Sequence, residues 1–370
     1  MATYYVDPSA VGLQDGSSWA NAWISLQEAI DGGFMGGSLS AGDVVLMRGS
    51  ETVSTTITFS SAGGGTTGQV TFRGVNASGV DDGTKYVLNG TTGVNVVQWD
   101  QGYTNVENLE VNGGAKGIYK PSYSMAYYCN FTNIHIHDCS SHGFEVGTSG
   151  SRSWTYNRVL IEDCGGYGAS GGSGTAAQCV VKGNGAYGWY MAGGHDGMQF
   201  VDCLFLNNAG VGVRLSHYSG IGSRMYNCVI DGNTTDGVYL GSSGTYQLYN
   251  CRITNNGSEG IHQTSTTPNL IFGCVMPGSG QDRENGAANI LGSAVLYDCD
   301  FAITDTDAGY VDPSAGNFQL ASTATKRNAS VSVDANTQMF STAGITPDAS
   351  GGSSSGGGFR RITLGGGMTG

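Results

Sequence analysis

The sequence is poor in charge, and positive charge is the scarcest. Its 370 residues include 16 Lys and Arg against 29 Asp and Glu, which gives a formal net charge of −13. Proteins that bind nucleic acid usually carry a basic stripe that neutralises phosphates, and no such stripe is visible. An acidic surface also repels anionic membranes, and it repels polyanionic polysaccharides unless arginines or calcium intervene. The composition therefore predicts neither nucleic acid nor membrane as a partner.

Long apolar runs are absent too. The longest glycine-free apolar run, Met125–Cys129, is far shorter than the roughly 20 residues of a membrane-spanning helix. The first seven residues lack the basic and apolar segments of a secretory signal peptide. We therefore expect no membrane insertion and folding in the cytoplasm. A secreted protein that has lost its signal peptide is the alternative.

Proline is scarce, with 6 residues, whereas glycine numbers 63. The glycines follow no three-residue period, which excludes a collagen triple helix. Hydrophobic residues make up 39% and aromatic residues 10% of the chain. These fractions are sufficient for a core and argue against global disorder. The composition is that of a folded, β-rich protein.

The sequence contains an internal repeat of 20 to 25 residues. The segment that begins Cys203-Leu204-Phe205 returns from Cys228 and again from Cys251. One column of aligned positions reads Leu109, Ile134, Val159, Cys179, Cys203, Cys228, Cys251, Cys274 and Cys299. Short strands of this period, with alternating apolar residues and a recurring Asn or Gly at one corner, predict an all-β parallel solenoid.

Two inward columns are predicted to be structural. The six cysteines of the column above should stack about 4.8 Å apart, slightly beyond the roughly 3.5–4.5 Å between Cβ atoms that a disulfide needs. We therefore expect buried free thiols, as in proteins that fold in a reducing compartment. The neighbouring corner predicts a ladder of side-chain amides bonded from turn to turn, formed by Asn184, Asn208, Asn233 and Asn256.

A helical pattern stands out near the start of the chain. Ser25 and Glu28 have the spacing of a capping box, and the apolar residues Leu26, Ala29 and Ile30 share one face. Because the open end of a solenoid needs a cap, we expect a short N-terminal capping helix here.

Several segments resemble known solenoid proteins. Thr3–Pro8, Gly16–Trp23 and Leu26–Ile30 resemble the opening of right-handed parallel β-helix proteins of the pectate-lyase-like superfamily. Tyr310–Pro313 and Gly316–Leu320 resemble a segment that often follows the last turn of these proteins. The resemblance implies a right-handed parallel β-helix. The superfamily includes polysaccharide lyases, glycosidases, phage tailspikes and non-enzymatic adhesins, so the fold leaves the function open, and no specific lyase motif matches.

The predicted organisation has four parts. Residues 1–45 form an N-terminal cap, and residues 46–302 form the parallel β-helix. Residues 303–350 form a β-rich or irregular C-terminal segment, and residues 351–370 form a Gly/Ser linker with a docking tail. The apolar residues that would dock in this tail are Phe359, Ile362 and Leu364.

Four successive turns carry an apolar residue at an outward position. Strand alternation places these side chains on the surface: Leu160, Val180, Leu204 and Val229. Water should not meet such a stripe, so either a loop of the same chain covers it or another subunit does. The subunit interface, together with the docking tail, predicts a homo-oligomer or a larger protein assembly.

A second outward set mixes aromatic and charged residues. Sugar rings stack on tyrosine, and their hydroxyls bond to charged groups. The predicted glycan-binding residues are Tyr190, Arg214, His217, Tyr218, Tyr239 and His262. No catalytic residue is identified, and the candidates for one are His195, Asp196 and Arg214. Solvated polar loops are the competing interpretation of these positions.

Metal and cofactor sites are not predicted. His135 and His137 point outward together, with Asp138 next to them and His142 near. Two histidines without a clear third ligand are more often a surface pair than a metal site. Calcium is the one ion considered, because a calcium-type polysaccharide lyase would require it.

Three functions remain open at this stage. The favoured hypothesis is a virion or other assembly component, such as a tail spike, fibre or capsid-surface protein, that binds cell-surface glycan. The alternative is a secreted polysaccharide lyase or glycosidase, which predicts a deep cleft with paired acids or a calcium cluster. A bacterial surface adhesin or filament subunit is the third hypothesis.

Overall fold

The computed structural model describes a chain made almost entirely of strands. The described residues are 1–32, 39–59, 69–100, 102–121, 127–147, 153–192, 197–216, 222–241, 245–264, 269–274, 276, 290–291, 294–297, 310–312 and 317–320. In chain order the strands are β1 (Thr3–Val6), β2 (Val44–Met47), β3 (Ser50–Val53), β4 (Ile57–Phe59), β5 (Val70–Gly74), β6 (Tyr86–Gly90), β7 (Val97–Trp99), β8 (Thr104–Gly113), β9 (Ile118–Lys120), β10 (Asn130–His137), β11 (Phe144–Val146), β12 (Trp154–Asn157), β13 (Leu160–Glu162), β14 (Ala169–Ser170), β15 (Gly174–Ala177), β16 (Val180–Lys182), β17 (Trp189–Ala192), β18 (Met198–Val201), β19 (Leu204–Leu206), β20 (Val213–Ser216), β21 (Arg224–Tyr226), β22 (Val229–Asp231), β23 (Val238–Leu240), β24 (Gln247–Tyr249), β25 (Arg252–Thr254), β26 (Ile261–Gln263), β27 (Asn269–Phe272), β28 (Ile290–Leu291), β29 (Ala294–Tyr297), β30 (Tyr310–Asp312) and β31 (Asn317–Leu320).

The strands stack in parallel register along three faces. Face 1 contains β1, β2, β5, the first halves of β8 and β10, β12, β15, β18, β21, β24, β27 and β29. Face 2 contains β3, β6, the second halves of β8 and β10, β13, β16, β19, β22 and β25. Face 3 contains β4, β7, β9, β11, β14, β17, β20, β23, β26 and β28. Outside this solenoid, β30 and β31 pair antiparallel. The predicted all-β parallel β-helix is confirmed.

One left-handed residue per turn makes the corner between faces 1 and 2. Asn133, with φ 55°, divides β10 into its two halves. The equivalent residues have φ between 52° and 57° and are Asn108, Arg158, Gln178, Asp202, Asn227 and Asn250. Asn and Asp tolerate this conformation better than most residues. This requirement explains why a polar residue directly precedes most members of the inward cysteine column, and why Gly273, with φ 61°, precedes Cys274.

The predicted asparagine ladder is present at the corner between faces 2 and 3. Asn184 Nδ2 donates to Asn208 Oδ1 at 2.9 Å, and Asn208 Nδ2 donates to Asn233 Oδ1 at 3.0 Å. The next step, from Asn233 Nδ2 to Asn256 Oδ1, also measures 3.0 Å. Main-chain N–H groups donate to the same oxygens. Because all four side chains are buried, these bonds keep the polar groups satisfied inside the solenoid.

The eight described cysteines are all buried and free, as predicted. The ninth, Cys299, lies outside the described residues. Cys203 Sγ donates to main-chain carbonyl groups, among them that of Val201 at 3.3 Å. Burial raises the pKa of the Cys179 and Cys228 thiols, so they remain protonated and behave as small apolar groups.

A column of glycines begins the strands of face 3. A Cβ atom at Gly212 would lie 2.7 Å from both the Gly237 carbonyl oxygen and Asn233 Nδ2. A side chain there would push neighbouring turns apart, so the position accepts only glycine. The same close approach recurs at Gly188. The glycine column therefore fixes which flanking residues reach the outer surface of face 3.

The N-terminal helix α1 (Leu26–Ile30) is confirmed. Ser25 Oγ accepts a hydrogen bond from the Glu28 N–H at 3.1 Å, and Leu26, Ala29 and Ile30 are buried. Strand β1 pairs with β2, so the segment before the helix continues face 1. No helix within the described residues is long and apolar enough to cross a membrane.

Candidate functional site

Two outward columns run side by side along face 3. The first lies two residues after each glycine and was predicted; it places Tyr190 beside Arg214, Arg214 beside Tyr239, and Tyr239 beside His262. The second lies directly before each glycine and was missed. Its members, linked through main-chain bonds between turns, are Lys116, His142, Tyr167, Tyr187, Val211, Asp236 and Glu259.

Side chains of both columns form one continuous surface, which we call the aromatic stripe. Its residues are His142, Tyr167, Tyr187, Tyr190, Arg214, Tyr239 and His262. The His142 and Tyr167 rings stack at 4.6 Å with 4° between their planes, and Tyr167 stacks on Tyr187 at 5.3 Å and on Tyr190 at 4.9 Å. Rings stacked in this way cover much of one another's faces. A ligand would therefore meet ring edges and phenolic hydroxyls.

Arg214 lies among the tyrosines at the centre of the stripe. Its guanidinium carbon is 4.7 Å from the Tyr239 ring centre and 5.3 Å from that of Tyr190. Its Nη1 donates to the Tyr187 hydroxyl at 3.4 Å. Its buried Nε has no hydrogen-bond partner within the described part of the chain. Cation–π contacts on several rings hold the guanidinium in place.

An acidic pair closes one end of the stripe. His262 Nδ1 is 3.1 Å from Asp236 Oδ2 and 3.8 Å from Glu259 Oε2. Burial, and then a hydrogen bond with Glu259, raises the pKa of Asp236 above its usual value. The same bond lowers the pKa of Glu259. The two carboxyl groups therefore titrate as an interacting pair beside His262.

The other end of the stripe is held by a main-chain contact. The Tyr167 N–H donates to His142 Nδ1 at 2.9 Å, which fixes that nitrogen as an acceptor. Burial lowers the pKa of His142. Nearby, Lys116 Nζ lies 2.7 Å from Glu145 Oε2 and 4.2 Å from the Tyr119 ring centre. This end is therefore electrically balanced.

Only part of the predicted glycan-binding set can be placed. Tyr190, Arg214, Tyr239 and His262 come together as expected on successive turns. The remaining predicted residues, which include two of the three catalytic candidates, lie outside the described residues: His195, Asp196, His217 and Tyr218. The tail residues Phe359, Ile362 and Leu364 lie outside them as well.

The predicted apolar column on face 2 is in register, but the chain buries half of it. Leu204 is 2% exposed and Val229 is 6% exposed within the single chain. At these two positions the burial favours the alternative in which the same chain covers the stripe. Leu160 and Val180 are half-buried, and an interface through them stays a prediction.

A compact polar cluster lies at the start of that same column. We call it the histidine cluster and define it as Glu110, His135, His137 and Glu162. The two imidazole rings stack at 4.3 Å with 25° between their planes. His135 Nε2 lies 2.8 Å from Glu162 Oε1, and His137 Nε2 lies 3.4 Å from Glu110 Oε1. His142, expected near this pair, belongs to the aromatic stripe instead.

Two carboxyl groups with strongly raised pKa values have structural positions. Burial raises the pKa of Glu51 to about 7, although its oxygens accept from the Leu26 N–H at the start of α1. Burial likewise raises the pKa of Asp202 to about 7, against the lowering effect of a hydrogen bond from Asn227. Asp202 is buried and Glu51 is half-buried, and neither belongs to the aromatic stripe.

Two shallow grooves also lie away from the stripe. One, of about 480 Å³, is lined on face 1 by residues that include Asn130, Thr155 and Gln199, and it contains no Asp or Glu. The other, of about 370 Å³, contains Glu51 as its single acid. Neither groove has the paired acids that the lyase or glycosidase hypothesis requires.

Residues 56–224 match the family model described as the right handed beta helix region. The chain is a right-handed parallel β-helix. The comparison with curated protein sequences gave no match.

Solved structures with the same fold come from different functional classes. ORF18 of Geobacillus virus E2 is 16% identical with a TM-score of 0.52; the match covers 74% of this chain and 57% of the viral protein's length. A rhamnogalacturonan lyase is 13% identical with a TM-score of 0.54, and the match covers 86% of this β-helix and 92% of the lyase. The A-module of the Azotobacter vinelandii mannuronan C-5 epimerase AlgE6 is 14% identical with a TM-score of 0.51, and the match covers 75% of this chain and 94% of the A-module. Identities this low establish the fold alone.

Proposed function

We propose that this β-helix binds a neutral carbohydrate chain through the aromatic stripe, as a glycan-recognition component of a phage particle or a similar assembly. The observation that carries the proposal is the unbroken run of tyrosines, histidines and one arginine across successive turns of face 3. Carbohydrate sites combine aromatic surface with a few well-placed polar groups.

The length of the stripe suits a chain rather than a single sugar. From His142 to His262 the stripe spans five steps between turns. At about 4.8 Å for each step, the surface extends for about 24 Å. Phenolic hydroxyls and the Arg214 guanidinium would bond sugar hydroxyls along this length, while the ring edges contact the apolar C–H groups.

Charge favours a neutral glycan over an anionic one. The chain carries a net charge of −13, and Asp236 and Glu259 close one end of the stripe. A polyanionic chain laid along the whole stripe would approach these two groups and be repelled. Arg214 alone does not offset them.

The assembly part of the proposal has separate support. One fold neighbour is a protein of Geobacillus virus E2. The buried free thiols of the described residues are compatible with folding in a reducing compartment, which a virion component made inside its host would require. The half-buried apolar residues Leu160 and Val180 offer a contact for a neighbouring subunit.

The test is binding of wild-type protein to an array of neutral and anionic bacterial surface polysaccharides. Arg214→Ala and Tyr190→Ala should each weaken binding to the neutral chain that is recognised by about tenfold, equivalent to roughly 1.4 kcal/mol. Tyr226→Ala is the matched control, because Tyr226 stacks on Tyr249 at 5.0 Å in a ladder on face 1. Failure to bind any polysaccharide, or an equal loss in the control, would contradict the proposal.

A second candidate function is hydrolysis of the bound glycan, and the Asp236–Glu259 pair beside His262 favours it. Glycosidases use two carboxyl groups about 5–9.5 Å apart, whereas this pair is in direct hydrogen-bonded contact. That closeness is why binding is the first proposal. Release of reducing ends from the bound polysaccharide, abolished by Asp236→Asn, would favour the hydrolase.

A further inference from the structure

We propose that the histidine cluster on face 2 binds a divalent transition-metal ion, and that zinc is the ion its donors fit. The three ligands would be Glu110, His135 and His137, which lie on two adjacent turns. One ligand atom from each of the three residues can be chosen so that all lie within 4.8 Å of one another. This site is on a different face from the aromatic stripe and does not depend on glycan binding.

The distances across the cluster are close to those of a tetrahedral site. His137 Nε2 is 3.4 Å from Glu110 Oε1, and His135 Nδ1 is 3.8 Å from Glu110 Oε2. Zinc bonds of roughly 2.0–2.2 Å place tetrahedral donor atoms about 3.4 Å apart. Rotation of the two partly exposed rings about their side-chain torsions would bring all three donors onto one ion.

The outer nitrogen of each ring is already held by a second carboxylate. His135 Nε2 is 2.8 Å from Glu162 Oε1, and His137 Nδ1 is 2.7 Å from Asp138 Oδ2. Histidines that bind metals usually donate their other N–H to a carboxylate, carbonyl or water. Here both histidines have this partner, which is the arrangement a metal site requires and a chance surface pair does not.

These outer contacts determine where the lone pairs point. A carboxylate only accepts hydrogen bonds, so the ring nitrogens of His135 and His137 in the two shortest contacts carry the protons. Metal binding requires both rings to be neutral. In that form the inner nitrogens, His135 Nδ1 and His137 Nε2, offer their lone pairs on the side of the Glu110 carboxylate. A metal ion placed between the three groups would accept one bond from each.

The charge around the cluster also favours a divalent cation. Glu110, Glu162 and Asp138 carry three negative charges when ionised, and Lys182 Nζ, at 2.8 Å from Glu162 Oε2, supplies one positive charge. With neutral imidazoles the net charge is therefore −2, which a divalent ion neutralises.

The donor types select zinc over calcium. Imidazole nitrogen suits zinc and other late transition metals, whereas calcium prefers six to eight oxygen ligands. Two nitrogens and one carboxylate therefore exclude a calcium site of ordinary affinity. Three protein ligands would leave a fourth position for water.

The test is titration of the folded chain with Zn²⁺ in competition with a chromophoric chelator, with Ca²⁺ in excess as a competitor. We expect one zinc per chain and no displacement by calcium. His137→Ala and Glu110→Gln each remove a ligand and should weaken binding by more than 100-fold. Glu162→Gln removes only the outer carboxylate and should weaken binding 10–100-fold, a graded loss that a merely structural role would not produce.

The matched control is His262→Ala, which breaks Asp236–Glu259–His262, a second cluster of metal-ligand type among the described residues; it should change zinc affinity by less than twofold. Thermal melting should show that all variants stay folded, because these side chains face outward. With Co²⁺ in place of zinc, the absence of intense thiolate absorption would exclude the buried cysteines as ligands. No stoichiometric binding, unchanged binding in His137→Ala, or loss of binding in His262→Ala would each overturn the proposal.

Discussion

The inside and the outside of this solenoid share one register but differ in what repeats. Inside, Asn184, Asn208, Asn233 and Asn256 place the same side chain on successive turns, and each amide satisfies the next. Outside, the column through His135 changes from Glu110 to His135 to Leu160 over three turns. A side chain that repeats from turn to turn in this fold therefore indicates structural hydrogen bonding. A position that changes from turn to turn indicates a surface where a binding site can form.

Removal of one rung from the asparagine ladder is expected to have the largest effect on stability. Asn208→Ala would remove a hydrogen-bond partner from three buried polar groups, namely the Asn184 main-chain N–H, the Asn184 side-chain Nδ2 and the Asn233 side-chain Oδ1. At about 1–3 kcal/mol for each such group, the free energy of unfolding should fall by about 3 kcal/mol. Calorimetric thermal unfolding measures this loss.

The control for this prediction is an asparagine that repeats on the outer surface. Asn112 Nδ2 donates to Asn89 Oδ1 at 3.2 Å on face 2, where water can replace the bond. Asn112→Ala should therefore cost less than about 0.5 kcal/mol. Equal losses at Asn208 and Asn112 would remove the distinction between inner and outer repeats.

A smaller effect on stability is expected at Asp202, where an ionisable side chain interrupts the inner repetition of asparagines. Asp202 occupies the corner position that Asn227 and Asn250 occupy on the next turns, and burial raises its pKa to about 7. Between the unfolded pKa of about 3.9 and this folded value, the folded chain holds a proton that the unfolded chain has released. Stability therefore falls as pH rises through this window.

Asp202→Asn should remove that loss and continue the amide ladder. We expect the variant to be more stable than wild type at pH 8 and to show no charge-related gain below pH 4. The pH dependence of the melting temperature measures both. Glu51, whose pKa is also raised, is present in both proteins and cancels in the difference. If the melting temperatures of the two proteins changed with pH in parallel, the raised pKa assigned to Asp202 would be contradicted.

Most of the fold could be predicted from the sequence because its signals are periodic. The cysteine column, the asparagine ladder and the cap of α1 each depend on residues at fixed spacings. The order of the outward columns followed from strand alternation alone. The burial of Leu204 and Val229 could not be predicted in this way, because the residues that cover an outward column are not part of the repeat.

The candidate sites were harder to predict because they depend on diagonal contacts between turns. Tyr167 and Tyr187 lie directly before Gly168 and Gly188 of the glycine column, and their rings stack on each other between neighbouring turns. His137 contacts Glu110 one turn away and one column across. Sequence spacing identifies vertical neighbours, but side-chain direction decides which diagonal neighbours meet.

The most direct test of the account is hydroxyl-radical footprinting of the protein with and without the polysaccharide that it binds best. If the changing outer surface of face 3 is the recognition surface, the glycan should protect Tyr167, Tyr187 and Tyr190. The stacked pair Tyr226 and Tyr249 on face 1 should remain as reactive as in the free protein. Protection of the face 1 pair, with none on the aromatic stripe, would contradict the account.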